Sequence, residues 1–244
     1  MTDTMNIIIC ATRNMYPQLH RMFVMLDRTQ KTPYHVYAFV EDDMGLDDEP
    51  NITTIDVSGF EKVTKNEVNG RSHWTWMTLV RCYAPELLPD VDKVIYMDLD
   101  VEIVGDLREL WETDLEGCPV AGVIDTGIRK VKLPYIRDIM TYINVGVLVM
   151  DLHAFREMHV SEDMDELLHK WLLGYPDQDA LNIVCDGKIK LLDNKWNSGP
   201  STGISEEAVI YHTTDGAKPW NPSSKFFPSF ARDYVESGAP FSFM

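Results

Sequence analysis

Asp98 and Asp100 flank a single leucine, Leu99, at the end of an apolar run over 94–97, and Glu102 follows two places on. In an extended chain the side chains alternate, so the two aspartates project to one side and Leu99 to the other. Two carboxylates held together repel unless a cation lies between them, and hard oxygen donors suit magnesium, manganese or calcium. The competing reading is a strand end that opens into an acidic, solvated loop. Further polar residues stand at the ends of other apolar runs. Asp125 closes the run 119–124, either lining a site there or starting the next turn. Asn144 and Gly146 stand at the entrance of the run 142–151, where a glycine lets a ligand or another backbone approach closely. Asp177 and Gln178 open a short helical segment after Pro176, where an acid also reads as an N-cap. His212 follows the strand-like residues 209–211, and a glycine-containing loop separates it from Lys218. It is either a structural histidine or, with Lys218, a holder of a metal and its bound anion. Arg81 lies within an apolar segment, either on its solvent face or, being close to the acidic pair, turned toward a ligand.

These side chains need a scaffold that brings distant segments to one edge. Residues 6–10 form a continuous apolar run, the pattern of a strand buried on both faces. After the polar loop 11–17, Leu19, Met22, Phe23 and Leu26 recur at helical spacing, completing a βα unit. Its loop opens at the carboxyl edge of the sheet, where ligands bind in such folds. That loop has no G-x-G-x-x-G, so a dinucleotide fingerprint is absent. Strands are expected at 34–40, 52–57, 119–124, 142–151, 189–192 and 209–211. The segment 74–88 reads as a helix that gives Trp76, Leu79, Val80 and Tyr83 to the core and has Pro85 near its end. Leu107, Leu110 and Trp111 suggest a short helical piece. Residues 161–173 read as an amphipathic helix, capped by Ser161, with Met164, Leu167, Leu168 and Trp171 on one side. From 223 onward, Phe226, Phe227, Phe230 and Tyr234 are able to pack back on the rest.

With 244 residues the chain suits one α/β domain with a sizeable core. A formal net charge of −17 argues against a protein that neutralises phosphates along nucleic acid or an anionic membrane. The four cysteines are far apart and form no C-x-x-C pair, which indicates neither a zinc site nor a disulfide framework. No signal-like or membrane-spanning run is found, and a cytoplasmic location is expected.

The order of four landmarks resembles glycosyltransferase family 8, the retaining nucleotide-sugar transferases. They are Tyr96-Met97-Asp98-Leu99-Asp100 with Asp106-Leu107, Asn144-Val145-Gly146-Val147-Leu148, Asp177-Gln178-Asp179-Ala180-Leu181-Asn182, and His212 with Lys218-Pro219-Trp220. The resemblance covers 7–220 and implies a single GT-A (Rossmann-like) domain over 1–244, with 221–244 a short tail packing on it. Its sheet would be mixed, mostly parallel and flanked by helices. The resemblance makes Asp98, Asp100 and His212 ligands of Mn2+, with Mg2+ an alternative, and a UDP-hexose the donor. It sets Lys218 on the diphosphate, Arg81 facing the donor, and Asp125, Asn144 and Gly146 around the sugar. Ala11, Asn14, Tyr16, Leu99 and Gly216 would complete the donor site. Asp177 and Gln178 would lie near the anomeric carbon. An amide is a poor nucleophile, so Gln178 favours attack from the face of the departing diphosphate over a covalent double displacement. One departure concerns the base: where the family usually carries an acid and an asparagine, the first loop holds Arg13 and Met15. The family's basic, aromatic membrane attachment is also not found. No integral membrane association is expected, and oligomerisation stays open.

Two other functions compete. A nucleotidyltransferase of similar fold would also use an acidic metal pair, but would want a basic, glycine-rich first loop, and Ala11 to Pro17 offers only Arg13 and no glycine. A catalytically inactive nucleotide-sugar-binding module would not need the metal, lysine and sugar-pocket residues together. The acceptor, a carbohydrate, glycan or protein, would meet the variable loops 59–73, 128–142 and 194–205.

Overall fold

The computed structural model describes residues 4–42, 50–64, 68–69, 76–127, 141–214 and 217–238, without the side chains of residues 63 and 64. Its strands are β1 (Met5–Ala11), β2 (Tyr34–Val40), β3 (Ile52–Asp56), β4 (Lys93–Met97), β5 (Val101–Ile103), β6 (Val120–Ile124), β7 (Ile143–Asp151), β8 (Ile189–Leu191) and β9 (Ile210–His212). The helices are α1 (Tyr16–Thr29), α2 (Glu61–Thr64), α3 (Ala84–Leu87), α4 (Arg108–Trp111), α5 (Leu152–Glu157), α6 (Val160–Lys170), α7 (Pro176–Val184) and α8 (Phe227–Glu236).

Seven strands form one sheet in the order β3-β2-β1-β4-β7-β6-β8. All neighbours run parallel except those of β7, which is antiparallel to both β4 and β6. Alternation along β1 explains its unbroken apolar run. Ile8 joins a core on one face with Tyr96, Leu148 and the α6–α7 residues Met164, Leu168 and Leu181. Ile7 and Ile9 join a core on the other face with Ile95, Val147 and the α1 residues Leu19, Met22 and Leu26.

Two irregularities position the candidate site. The strand carrying the acidic pair stops at Met97, so Asp98 to Asp100 form a turn rather than the expected continuous strand. Val101–Ile103 leaves the main sheet and pairs antiparallel with β9, which puts Val101 opposite His212. The pairing therefore brings the imidazole beside Asp100, and Leu99 goes into the core as alternation suggests. In the β6/β7 pair the register shifts between Gly122 and Val123. This frees the Val145 carbonyl to accept from Arg81, while on the other side of β7 the Gly146 carbonyl accepts from the Asp98 amide in continuation of the β4 pairing.

Several helical expectations change. The described part of the segment 74–88 is a 3-10 helix, Trp76–Tyr83, followed by α3, and Pro85 lies in the first turn of α3 rather than ending a long helix. Pro85 has no N–H to give the Arg81 carbonyl and its ring crowds that position, so one continuous α-helix cannot pass through it. Residues 74 and 75 lie outside the described residues. Ser161 is not the cap of α6: His159 takes that place at φ 55°, and the buried Ser161 hydroxyl donates to the Cys82 carbonyl. Trp171 lies beyond the helix end and is exposed, not on the buried side. Phe227–Glu236 form α8, which packs on α1 through Phe230 over Arg21 and through ion pairs of Asp233 with Arg28. Among the described residues no helix is long and apolar enough to cross a membrane.

Candidate active site

The carboxyl ends of β4 and β6, the start of β7, the first turn of α7 and the end of β9 converge on a cavity of about 390 Å3. Ten of the residues singled out by sequence line it: Arg81, Asp98, Asp100, Asp125, Asn144, Gly146, Asp177, Gln178, His212 and Lys218. Ala11 is the buried end of β1, Leu99 is packed in the core, and neither lines the cavity. Asn14 and Tyr16 stay outside it too, Asn14 accepting from the Thr12 hydroxyl and Tyr16 bonded to the Asp42 backbone. Gly216 lies outside the described residues, as do residues 65–67, 70–73 and 128–140 of the expected acceptor loops.

Each acid of the pair has one oxygen tied and one turned inward. Asp98 Oδ1 accepts from Arg81 at 2.8 Å and from the Tyr96 hydroxyl at 2.7 Å. Asp98 Oδ2 faces His212 Nε2 at 3.7 Å. Asp100 Oδ2 accepts from Lys218 at 2.6 Å, while its Oδ1 lies 3.1 Å from His212 Nε2. The Lys218 ammonium also donates to the Thr213 carbonyl, at 2.7 Å. One ligand atom from each of Asp98, Asp100 and His212 falls within 4.8 Å of the other two. Two carboxylates and one imidazole at that spacing fit a divalent cation.

Burial would raise the Asp100 carboxyl, but the His212 ring and the Lys218 ammonium outweigh it and hold it well below the usual carboxylate range. Burial would lower His212, and the charges of Asp100 and then Asp98 outweigh it and raise the ring. Burial raises Asp177 against the opposing pull of Arg81, whose Nε lies 3.1 Å from Asp177 Oδ2. Burial pushes the nearby Cys10 thiol up to about 12, so it supplies no thiolate nucleophile at neutral pH.

Part of the wall is a network of amides. Gln178 Nε2 and Asn144 Nδ2 each reach Asp125 Oδ2 at 3.3 Å, and the Val145 amide donates to Gln178 Oε1 at 3.2 Å. The expected acidic N-cap of α7 is not made by Asp177. Tyr175 is the cap residue, and Asp179 accepts its backbone N–H at 2.9 Å and also binds the Tyr142 hydroxyl. Asp177 is therefore left for the cavity.

Sequence reasoning misses Asn197, whose Oδ1 is 2.9 Å from His212 Nδ1, and the cavity residues Thr78, Tyr175, Ser201 and Thr214. Asn197 and Ser201 fall in the stretch 194–205 read as an acceptor loop, and no periodic pattern marks them. The lining holds four aspartates against two permanent cations, Arg81 and Lys218, both already paired with those acids. An anionic ligand enters such a cavity only with added positive charge.

The family model for glycosyl transferase family 8 matches residues 23–223. General stress protein A of Bacillus subtilis is 26% identical over 91% of this chain and 90% of its own length. The lipopolysaccharide 1,2-glucosyltransferase of Escherichia coli is 25% identical over 63% of this chain, which spans only 53% of that enzyme. A crystal structure of galactosyltransferase LgtC with donor and acceptor sugar analogues superposes with a TM-score of 0.78, covering 98% of both chains at 22% identity. That likeness establishes the GT-A fold, and at this identity it establishes the fold alone.

Proposed function

The chain belongs to glycosyl transferase family 8, and from that premise we propose that it transfers a hexosyl group from a uridine diphosphate sugar with retention of anomeric configuration. Glycosyltransfer from a nucleotide sugar to a sugar acceptor follows from the membership. The metal, the base, the sugar and the stereochemistry are the proposal. It is carried by one observation: the ligand atoms of Asp98, Asp100 and His212 converge in a cavity that Asp125, Asn144, Asp177 and Gln178 also line.

The imidazole in the donor set favours manganese over magnesium, and a bound ion supplies the charge neutralisation that a departing diphosphate needs. Lys218 offers its ammonium to the same diphosphate from the cavity wall. Asp125, Asn144 and Gln178 present carboxylate and amide groups of fixed direction to sugar hydroxyls, the kind of site that rejects analogues lacking them. Arg81 holds Asp98 and Asp177 in place and adds positive charge beneath the leaving group. Asp177 and Gln178 serve positioning and electrostatics at the anomeric carbon. The acceptor attacks on the face the diphosphate leaves, and a diphosphate oxygen takes its proton. A glycosyl adduct trapped on Asp177 would overturn this order of events.

Asn14 and Tyr16 of the first loop are assigned to the uridine part of the donor, and Ala11, Leu99 and Gly216 to the donor site through their backbones. Four unpaired cysteines among the described residues support a cytoplasmic setting. The test is manganese-dependent hydrolysis of nucleotide sugars by the parent and by Asp100→Ala. The parent releases sugar from one UDP-hexose and the variant does not. Turnover of a sugar phosphate with a nucleoside triphosphate would show a nucleotidyltransferase instead, and binding without turnover would show an inactive module.

A further inference from the structure

Asn197 is fully buried and lies behind His212 rather than in the cavity lining. Its amide touches two groups, and the direction in which it points follows from backbone donors further along. The Gly146 N–H can only donate, and it lies 3.0 Å from Asn144 Oδ1. Asn144 must then turn its Nδ2 to the other side, where Asp125 Oδ2 and Gln178 Oε1, both at 3.3 Å, accept. The Val145 N–H fixes Gln178 Oε1 in the same way, at 3.2 Å. With Asn144 Oδ1 so placed, its second partner at 2.8 Å must be the amino group of Asn197, Nδ2. That leaves Asn197 Oδ1 facing His212 Nδ1 at 2.9 Å. An amide oxygen only accepts, so Nδ1 carries a proton, and in the neutral ring Nε2 keeps the lone pair. Nε2 is the atom turned toward Asp98 and Asp100.

We infer that Asn197 is a positioning residue for the transfer reaction: it locks His212 in the Nδ1–H tautomer, making Nε2 a cation ligand, and through Asn144 couples that ligand to the pocket residues Asp125 and Gln178. The tautomer of a ligating histidine is set by the hydrogen bond its other nitrogen makes, and loss of such partners lowers metal affinity about 10–100-fold. Here the order is transmitted from two backbone amides, through three side-chain amides, to one ring nitrogen. The inference rests on reading Asp98, Asp100 and His212 as a divalent-cation site.

Two measurements on the full chain test it. The first is 15N NMR of histidine-labelled protein in alkaline solution without metal, His212 being identified by the signal lost in His212→Gln. The second is Mn2+ binding without donor, followed by the electron paramagnetic resonance of the free ion. In the parent the His212 proton is expected on Nδ1; finding it on Nε2 overturns the inference outright. Asn197→Leu is expected to lose the tautomer preference and to bind Mn2+ at least about tenfold more weakly. Asn197→Asp gives up the bond to Asn144 Oδ1 but still accepts from Nδ1–H, so it is expected to keep the tautomer and bind Mn2+ far better than the leucine variant. An unchanged ring spectrum and Mn2+ affinity in folded Asn197→Leu, or their loss in folded Asn197→Asp, sinks the positioning role. A parent that binds no Mn2+ would instead sink the cation-site reading beneath it.

Discussion

The His212 imidazole packs against Gly146 through its Cε1 and the two flanking nitrogens. A Cβ built on that glycine would sit 2.6 Å from Nδ1 and 2.8 Å from Nε2. The close approach anticipated at a glycine in β7 is therefore made by a protein side chain, the one that closes the acidic pair. Gly146→Ala is expected to push the ring away from Asp98 and Asp100 while leaving the sheet intact, since the conflict is with one ring. Mn2+ affinity should fall by about tenfold or more with a near-parental far-UV circular dichroism spectrum. Parental affinity in the alanine variant would mean that the ring position is not needed.

Arg81 spans two acids that would otherwise repel, with Asp98 Oδ1 2.8 Å from one terminal nitrogen and Asp177 Oδ2 3.1 Å from Nε. Its other terminal nitrogen holds the Val145 carbonyl, and its guanidinium carbon lies 4.1 Å above the centre of the Tyr96 ring. A planar fork makes these contacts together, and a lysine ammonium cannot. Arg81→Lys is expected to lower kcat by about a hundredfold or more, the scale of losing one electrostatic stabiliser. KM should move less. Steady-state kinetics with the preferred donor checks this, and a change confined to KM would reassign Arg81 to simple binding.

The parts of this site that can be read from sequence are those borne by strands. Asp125 and Asn144 sit where an apolar run meets its polar end, so their place at the sheet edge follows from the run itself. The acidic pair is legible for the same reason, although its turn is not. Nothing local to Val101 says that its segment will leave the main sheet and pair with Ile210–His212, because the two stretches are remote in sequence and meet only in the folded chain. Asn197 is not legible because it lies in irregular backbone, where no periodicity says which way a side chain faces. The helix expected over 74–88 fails for a local reason, since Pro85 cannot continue a helix begun at Trp76.

Removing or adding metal should show directly in stability. Without an ion, Asp98 and Asp100 are offset by Arg81 and Lys218. A cation that binds the folded chain alone adds about 2.7 kcal/mol at a hundred times its Kd. For a chain of this size that is a rise in Tm of roughly 5–10 °C. Thermal melts with Mn2+ should show this rise, excess chelator should reverse it, and Asp100→Asn should abolish it. An equal rise in the Asp100→Asn variant would place the ion elsewhere.

Asp233 ties α8 to α1 and, through Arg21, to β5 beneath the acidic pair. Its carboxylate is fully buried, bonded to Arg28 at 2.5 and 3.1 Å, and Arg21 Nε lies 3.8 Å away. Arg21 in turn donates to the Val101 carbonyl at 3.0 Å and pairs with Glu102. Burial would raise Asp233, but the bonds from Arg28 and Arg232 outweigh it and lower the carboxyl below its ordinary value. An unfolded aspartate titrates near pH 3.9, so below that the unfolded chain binds the proton first. The stabilisation from Asp233 is therefore complete above about pH 5 and is lost as the pH falls through the lowered folded value. Asp233→Asn removes the charge at every pH. At neutral pH it should cost about 3 kcal/mol, the low end for a broken buried pair, because Arg28 is 37% exposed and solvent screens it. Urea unfolding of both proteins across the acid range checks the sign: the gap between them should narrow as the pH drops below about 4. A gap that stays constant would show that the asparagine acts through packing and not through the lost charge.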